Sequence, residues 1–371
     1  MRQEITTNAA LLPERETMKI GAHVKTSSSA NAQPKPAWLT LRSEAALEVD
    51  LPIIDAHHHL WDNPHPRYLL DEIQADIDCG HNIRATVFVE AGAMWRQSGP
   101  ASLRPVGEVE FANGVAAMSE SGAYGKTRIC AAIVGYADLS LGADVEPVLD
   151  ALLAAGNGRL RGIRHSAAHD PEVRMLAPLG LLRSQKFLDG FSCLQRKSLG
   201  FELWIYHTQL DDAMELLKAF PEARVAINHI GGRIGIGQYA GMQAEVNTQW
   251  LDRLQQLSAF PNVNIKLSGQ GMSLAGFGLN ERPLPPTSEE LSNLWWPHMS
   301  ACLDIFGVER CMFASNFPVD KASCSYVVLW NAFKRMTQTM SPEERAWLFA
   351  GTAARHYSLQ SYTTATEPQA T

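Results

Sequence analysis

LPIIDAHHHLWD, residues 51–62, decides how the rest of this chain is read. The near-continuous apolar run LPIIDAH (51–57) has the character of a parallel strand buried on both faces, which lacks the alternation of a half-wet sheet. His57 and His59 stand at spacing i, i+2. On an extended backbone that spacing turns both imidazoles to one face. Two neutral imidazoles on one face make half of a divalent-metal site. His58 is expected to point the other way. A histidine run in a surface loop would look similar, but this one closes an apolar strand.

Seven further runs of the same character follow: RATVFVE (84–90), RICAAIV (128–134), RLRGIRH (159–165), FELWIYH (201–207), ARVAINH (223–229), NVNIKLS (262–268) and ERCMFAS (309–315). Helical patterns lie between them, among them GEVEFANGVAAMSES (107–121), DVEPVLDALLAAG (144–156), TQLDDAMELLKAF (208–220) and SEELSNLWWPHMSACLDIFG (288–307). Thr208 and Ser288 are candidate N-caps. Eight buried strands alternating with helices predict a (β/α)8 TIM barrel. An open doubly wound sheet would want a phosphate-binding glycine loop after its first strand, where DAHHHLWD stands instead.

The chain has 371 residues, 46% hydrophobic and 19% charged, with a formal net charge of −7. That composition fills one large core and excludes a disordered chain. Without Lys/Arg runs, a mildly acidic protein is not expected to bind nucleic acid or an anionic membrane. No run of 18 apolar residues occurs, so no membrane helix is expected. Six cysteines without a C-x-x-C pair read as reduced thiols in a cytoplasmic protein. The Ser/Ala/Pro-rich stretch 22–37 marks a flexible N-terminal extension over 1–49. The barrel then spans 50–358, and 359–371 form a flexible C-terminal tail.

The apolar runs end in His57/His59, Glu90, Arg164/His165, His207, His229, Lys266 and Asn316. In a barrel that edge is the catalytic face. Packing does not account for charges there, because Lys, Arg and Glu are rarely buried unpaired. His207 and His229 end successive strands, and either serve the core or converge with His57 and His59 at the mouth. Arg164 offers a planar fork for a carboxylate or lactone oxygen, or else an ion pair within the barrel. Lys266 either binds substrate or pairs with Glu90. Glu90 is a candidate acid, base or ligand, and Trp95 a candidate substrate lid. The glycine-rich stretch GGRIGIGQ (231–238) follows a late strand and reads as a βα-loop, not a phosphate loop. No G-x-S-x-G elbow occurs.

DAHHHLWD, GIRH, NHIGG, KLSG and MFASNFPVD, in this order, resemble the amidohydrolase-related TIM-barrel proteins over about residues 50–358. That group includes sugar-acid lactonases and 2-pyrone-4,6-dicarboxylate lactonase, with decarboxylases of small aromatic or muconate acids as more distant members. The resemblance implies His57, His59 and His207 as metal ligands and His229 as the catalytic histidine. It also implies an aspartate at the end of the eighth strand, where this chain has Asn316. An amide cannot take a proton, so either Asp320 or Glu90 supplies the base, or the enzyme works without a tightly held metal. The implied cofactor is one divalent ion, zinc or manganese, or none. The implied activity is opening of a small acidic lactone held by Arg164 and Lys266. The alternatives are metal-dependent decarboxylation and a non-catalytic binding barrel. The expected partner is a small-molecule substrate. Many members are homodimers, and the oligomeric state is open.

Overall fold

The computed structural model describes residues 33–62 and 66–363. Eight parallel strands run in sequential order: β1 (Ile53–His58), β2 (Ile83–Val89), β3 (Arg128–Gly135), β4 (Leu160–Arg164), β5 (Gly200–Leu203), β6 (Val225–Ile227), β7 (Val263–Leu267) and β8 (Cys311–Phe313). One long helix follows each: α1 (Leu70–Ile77), α2 (Val106–Glu120), α3 (Glu146–Gly156), α4 (Gln185–Arg196), α5 (Leu210–Ala219), α6 (Gln243–Leu257), α7 (Ser288–Phe306) and α8 (Tyr326–Met336). The seam between β8 and β1 closes at the C-terminal edge. There the Asn316 N–H donates to the His57 carbonyl (2.8 Å) and the His59 N–H to the Phe317 carbonyl (2.8 Å). This is the expected (β/α)8 barrel, and the closing seam excludes the open sheet.

Side-chain alternation divides the core in two. Ile53, Ile83 and Phe88 join the large cluster between strands and helices, while Ile54, Ala56, Ala85, Val87 and Val89 fill the barrel interior. Strict alternation from Ile54 and Ala56 would send His57 outward. It does not, because β1 carries one extra residue against β2: Asp55 pairs with Thr86 and His58 with Phe88. Such a bulge re-aims side chains. His57 turns inward, while His58 faces Thr86 Oγ1 (2.8 Å) and the Phe88 ring.

Several strands are shorter than the sequence suggests. β5 stops at Leu203, four residues before His207, and α5 starts at Leu210 with no side-chain cap, so Thr208 is not its N-cap. The cap of α7 is Thr287, one residue before the expected Ser288, in a capping box with Glu290. Within the expected extension, residues 33–49 lie against α7 and α8. Glu44 accepts from the Ser288 N–H (2.7 Å) and Asn331 Nδ2 (3.0 Å), and Lys334 Nζ donates to the Leu47 carbonyl (2.7 Å). Residues 1–32 and 364–371, which carry most of the two expected tails, lie outside the described residues.

Candidate active site

Three imidazoles meet inside the C-terminal mouth. The His57 and His59 ring centroids lie 4.8 Å apart, and those of His57 and His229 4.6 Å. His59 Nδ1 sits 2.8 Å from the Val89 carbonyl. A carbonyl only accepts, so Nδ1 carries the proton and Nε2 a lone pair. Lys266 Nζ approaches His57 Nδ1 at 3.3 Å. An ammonium only donates, so the His57 proton is on Nε2, which meets His59 Nε2 at 3.1 Å. His229 Nδ1 lies 2.9 Å from Ser268 Oγ. Its backbone is left-handed (φ 52°), and a β-carbon at Gly269 would stand 2.6 Å from His229 Cβ. Strained backbone of this kind persists only where its surroundings enforce it. Burial, and then the charges of Lys266 for His57 and of Arg164 for His59 and His229, hold all three rings well below the ordinary imidazole range. They stay neutral at pH 7.

Two cations flank the rings, each matched by a carboxylate. Arg164 donates through Nε to Glu90 Oε1 (2.6 Å) and through Nη2 to the Glu90 carbonyl (2.5 Å). Its Nη1 has only long contacts, 3.5 Å each, to His57 Nε2 and Asn228 Oδ1. Lys266 is fully buried, and its partner is Glu202 at 2.7 Å, not Glu90 as the sequence suggested. Glu202 also accepts from Asn228 Nδ2 and the Tyr357 hydroxyl. Burial works to raise Glu202, but Lys266 and these donors hold it below the ordinary carboxylate range, so the pair is ionic. Lys266 therefore sits behind His57, away from the open mouth.

At the end of β8, Asn316 is also left-handed (φ 56°). Its Nδ2 donates to Asp320 Oδ1 (2.8 Å), while Asp320 Oδ2 accepts from the Gly271 N–H (3.1 Å). Burial pushes Asp320 up to about 7 against these hydrogen bonds. With both oxygens engaged and 1% of the residue exposed, Asp320 orients the Asn316 amide.

Residues 54–359 match the sequence profile of the amidohydrolase family. The chain belongs to that family. An uncharacterised protein of Sinorhizobium fredii, y4mH, is 32% identical over 83% of this chain and 99% of its own length. An L-fucono-1,5-lactonase of Burkholderia multivorans is 28% identical over 62% of this chain and 72% of its own. Among solved structures, an amidohydrolase of Burkholderia multivorans with bound zinc superposes with a TM-score of 0.63 at 24% identity, covering 83% of this chain and 99% of that one. That likeness concerns the fold.

In this amidohydrolase the expected His57–His59–His207 ligand set is not assembled. Past the end of β5, His207 has entered a 3-10 turn, where its ring packs on Tyr239 (5.1 Å) and its Nδ1 accepts from the Ile234 N–H (3.3 Å). Among the described residues, no group of three or more His, Cys, Asp or Glu side chains is placed to hold an ion. A catalytic zinc takes three protein ligands. Here His57 Nε2 also carries a proton, because Lys266 occupies Nδ1. The residues present do not fit a resident divalent ion. Glu90 is committed to Arg164, and Trp95 lies on the loop after β2, stacked on Tyr136 (5.4 Å).

Sequence reasoning missed Glu202, Asn228, Ser268 and Glu108. A charge inside the apolar FELWIYH was the available signal for Glu202, and the Asn preceding His229 for Asn228. Nothing in GEVEF (107–111) separates Glu108 from an exposed helix residue.

Proposed function

We propose that this amidohydrolase opens a small lactone, of a sugar acid or an aromatic-catabolic acid, by adding water to its ester carbonyl, without a tightly held metal ion. The observation that carries the reading is the donor set at the mouth: three neutral imidazoles beside Arg164 Nη1, a guanidinium nitrogen with no contact of its own shorter than 3.5 Å. Arg164 Nη1 takes an oxygen of the substrate. Asn316, its amide nitrogen turned to Asp320, offers its oxygen to a water. As the water oxygen bonds to the carbonyl carbon, His229 accepts the proton. The ring C–O bond then breaks, and the His229 imidazolium returns the proton to the departing alkoxide. One water is consumed and a hydroxy acid is formed. A ring held far below its ordinary pKa is present as the free base and gives its proton back readily. Lys266 fixes the His57 tautomer, whose Nε2–H points to His59. The lactonase name of the 28% identical relative supports lactone opening.

Proton release from a panel of aldonolactones, a pyrone dicarboxylate and small aromatic acids tests this. Hydrolysis of a lactone is expected, and His229→Ala should lower kcat about 100-fold or more while the thermal midpoint holds. Carbon dioxide released from the acids, with every lactone left intact, would support decarboxylation at the same cluster.

A further inference from the structure

Glu108 is wholly buried near the start of α2 and belongs to no part of the chemistry above. Its Oε1 accepts from the Ala91 N–H (2.8 Å) and the Ala93 N–H (3.0 Å), and its Oε2 from Trp95 Nε1 (3.4 Å). The loop is pressed against the helix start: a β-carbon at Gly107 would stand 2.6 Å from the Met94 carbonyl oxygen. The Arg96 N–H donates to the Arg104 carbonyl (2.9 Å). So clamped, the Trp95 indole lies stacked on Tyr136 (5.4 Å, 29°), and Tyr136 meets His165 edge-on (5.4 Å, 75°). The three rings rise from consecutive strand ends. Trp95 follows β2, Tyr136 directly follows β3, and His165 directly follows β4 and adjoins Arg164. The Glu90 N–H donates to the Val134 carbonyl (2.8 Å), two residues before Tyr136, so this row of rings borders the Glu90–Arg164 pair.

Trp95 nevertheless keeps 38% of its surface exposed. An indole held by a buried carboxyl group and backed by a second ring is preorganised, so binding against it orders little. His165 adds a polar group. Its Nδ1 accepts from the Leu139 N–H (3.2 Å), which puts the ring proton on Nε2 as a donor.

We propose that Trp95, Tyr136 and His165 form a subsite for the non-reacting face of a sugar lactone, and that Glu108 is the positioning residue that holds it. This rests on the lactone reading above. An aromatic face carries negative charge and attracts weakly positive C–H groups. One face of a polyhydroxylated ring presents C–H groups, and its edge presents hydroxyls. The first lies against Trp95, and the second accepts from His165 Nε2. A planar pyrone offers no such hydroxyl edge.

The test uses the full chain and the aldonolactone from the panel that wild type opens fastest. Trp95→Ala should raise KM about fivefold, the scale of one ring contact, with kcat within about twofold. Trp95→Phe restores a ring and should recover most of that loss. Glu108→Gln keeps an oxygen for Ala91 and Ala93 but turns an amide N–H against the indole N–H. It should therefore raise KM as Trp95→Ala does, with kcat retained. Calorimetric binding of the aldonate product to the same variants reads the subsite without turnover and should weaken in parallel. Wild-type KM in Trp95→Ala, a Trp95→Phe variant no better than alanine, or a loss confined to kcat overturns the subsite. A wild type that opens the pyrone dicarboxylate but no aldonolactone also overturns the subsite and leaves the lactone reading standing, whereas one that opens no lactone at all sinks that reading; both are seen before any variant is made.

Discussion

Asn316 and Asp320 share one hydrogen bond of 2.8 Å, and that bond decides what a carboxylate at 316 would do. Asn316→Asp sets two carboxyl groups face to face in a buried place, where one of the pair keeps a proton and the other a charge. A charge moved from Asp320 to position 316 stands at the end of β8 and repels an anionic lactone held by Arg164. The expected result is a kcat/KM lower by about 1–3 kcal/mol of transition-state stabilisation on an acidic substrate, read by steady-state kinetics. A rise would return the eighth-strand position to the role of base. Lys266 carries a second test. Removing its ammonium leaves Glu202 charged and buried, so Lys266→Met should cost about 3–5 kcal/mol of stability in chemical denaturation. Glu202→Gln in the same chain should recover part of it. At this scale the sequence told which strand ends carry charge, because charges closing apolar runs have no packing explanation. It did not tell who pairs with whom. Glu90 found Arg164 and Lys266 found Glu202 through contacts between residues 74 and 64 positions apart in the chain, which no local pattern encodes.

Elements decide direction, and here one residue of register matters. The i, i+2 spacing of His57 and His59 was read from a regular strand, yet the bulge between Asp55 and His58 is what turns His57 inward. His207 shows the reverse: an apolar run continued past the true end of β5, and the histidine left with the turn. Apolar character alone does not mark where a strand yields to a 3-10 turn. The loop after β2 makes stability depend on pH. Burial, and then the charge of Glu90, push Glu108 up to about 8 from its ordinary 4.5. A raised acid favours the protonated fold, so its contribution is fully present below 4.5 and is lost as pH rises through about 8. Glu108→Gln cannot ionise. The stability of wild type relative to this variant should therefore fall steadily across that window, as measured by denaturation at a series of pH values. A difference flat with pH would show that Glu108 is not raised.

The barrel as a whole was legible because eight buried runs, helices between them and polar closing residues agree on one architecture. The interior charges were not legible, and they bear on the metal. Closure brings Arg164 and Lys266 to two sides of His57, and each is already balanced, by Glu90 at 2.6 Å and Glu202 at 2.7 Å. Among the described residues, no carboxylate there is left to a third cation, since Asp320 is turned to Asn316 and the Gly271 N–H. A divalent ion between His57 and His59 would add two positive charges beside two existing ones, and would have to displace a proton that the Lys266 ammonium holds on Nε2. Each cost acts in a water-poor interior, where like charges repel most strongly. We therefore expect wild type dialysed against a strong chelator, and shown by elemental analysis to be metal-free, to keep most of its lactone-opening rate. Added zinc or manganese should not raise it. Activity lost on chelation and restored by either ion would overturn this, and would require His57 to give up its Nε2 proton and Lys266 to move from Nδ1.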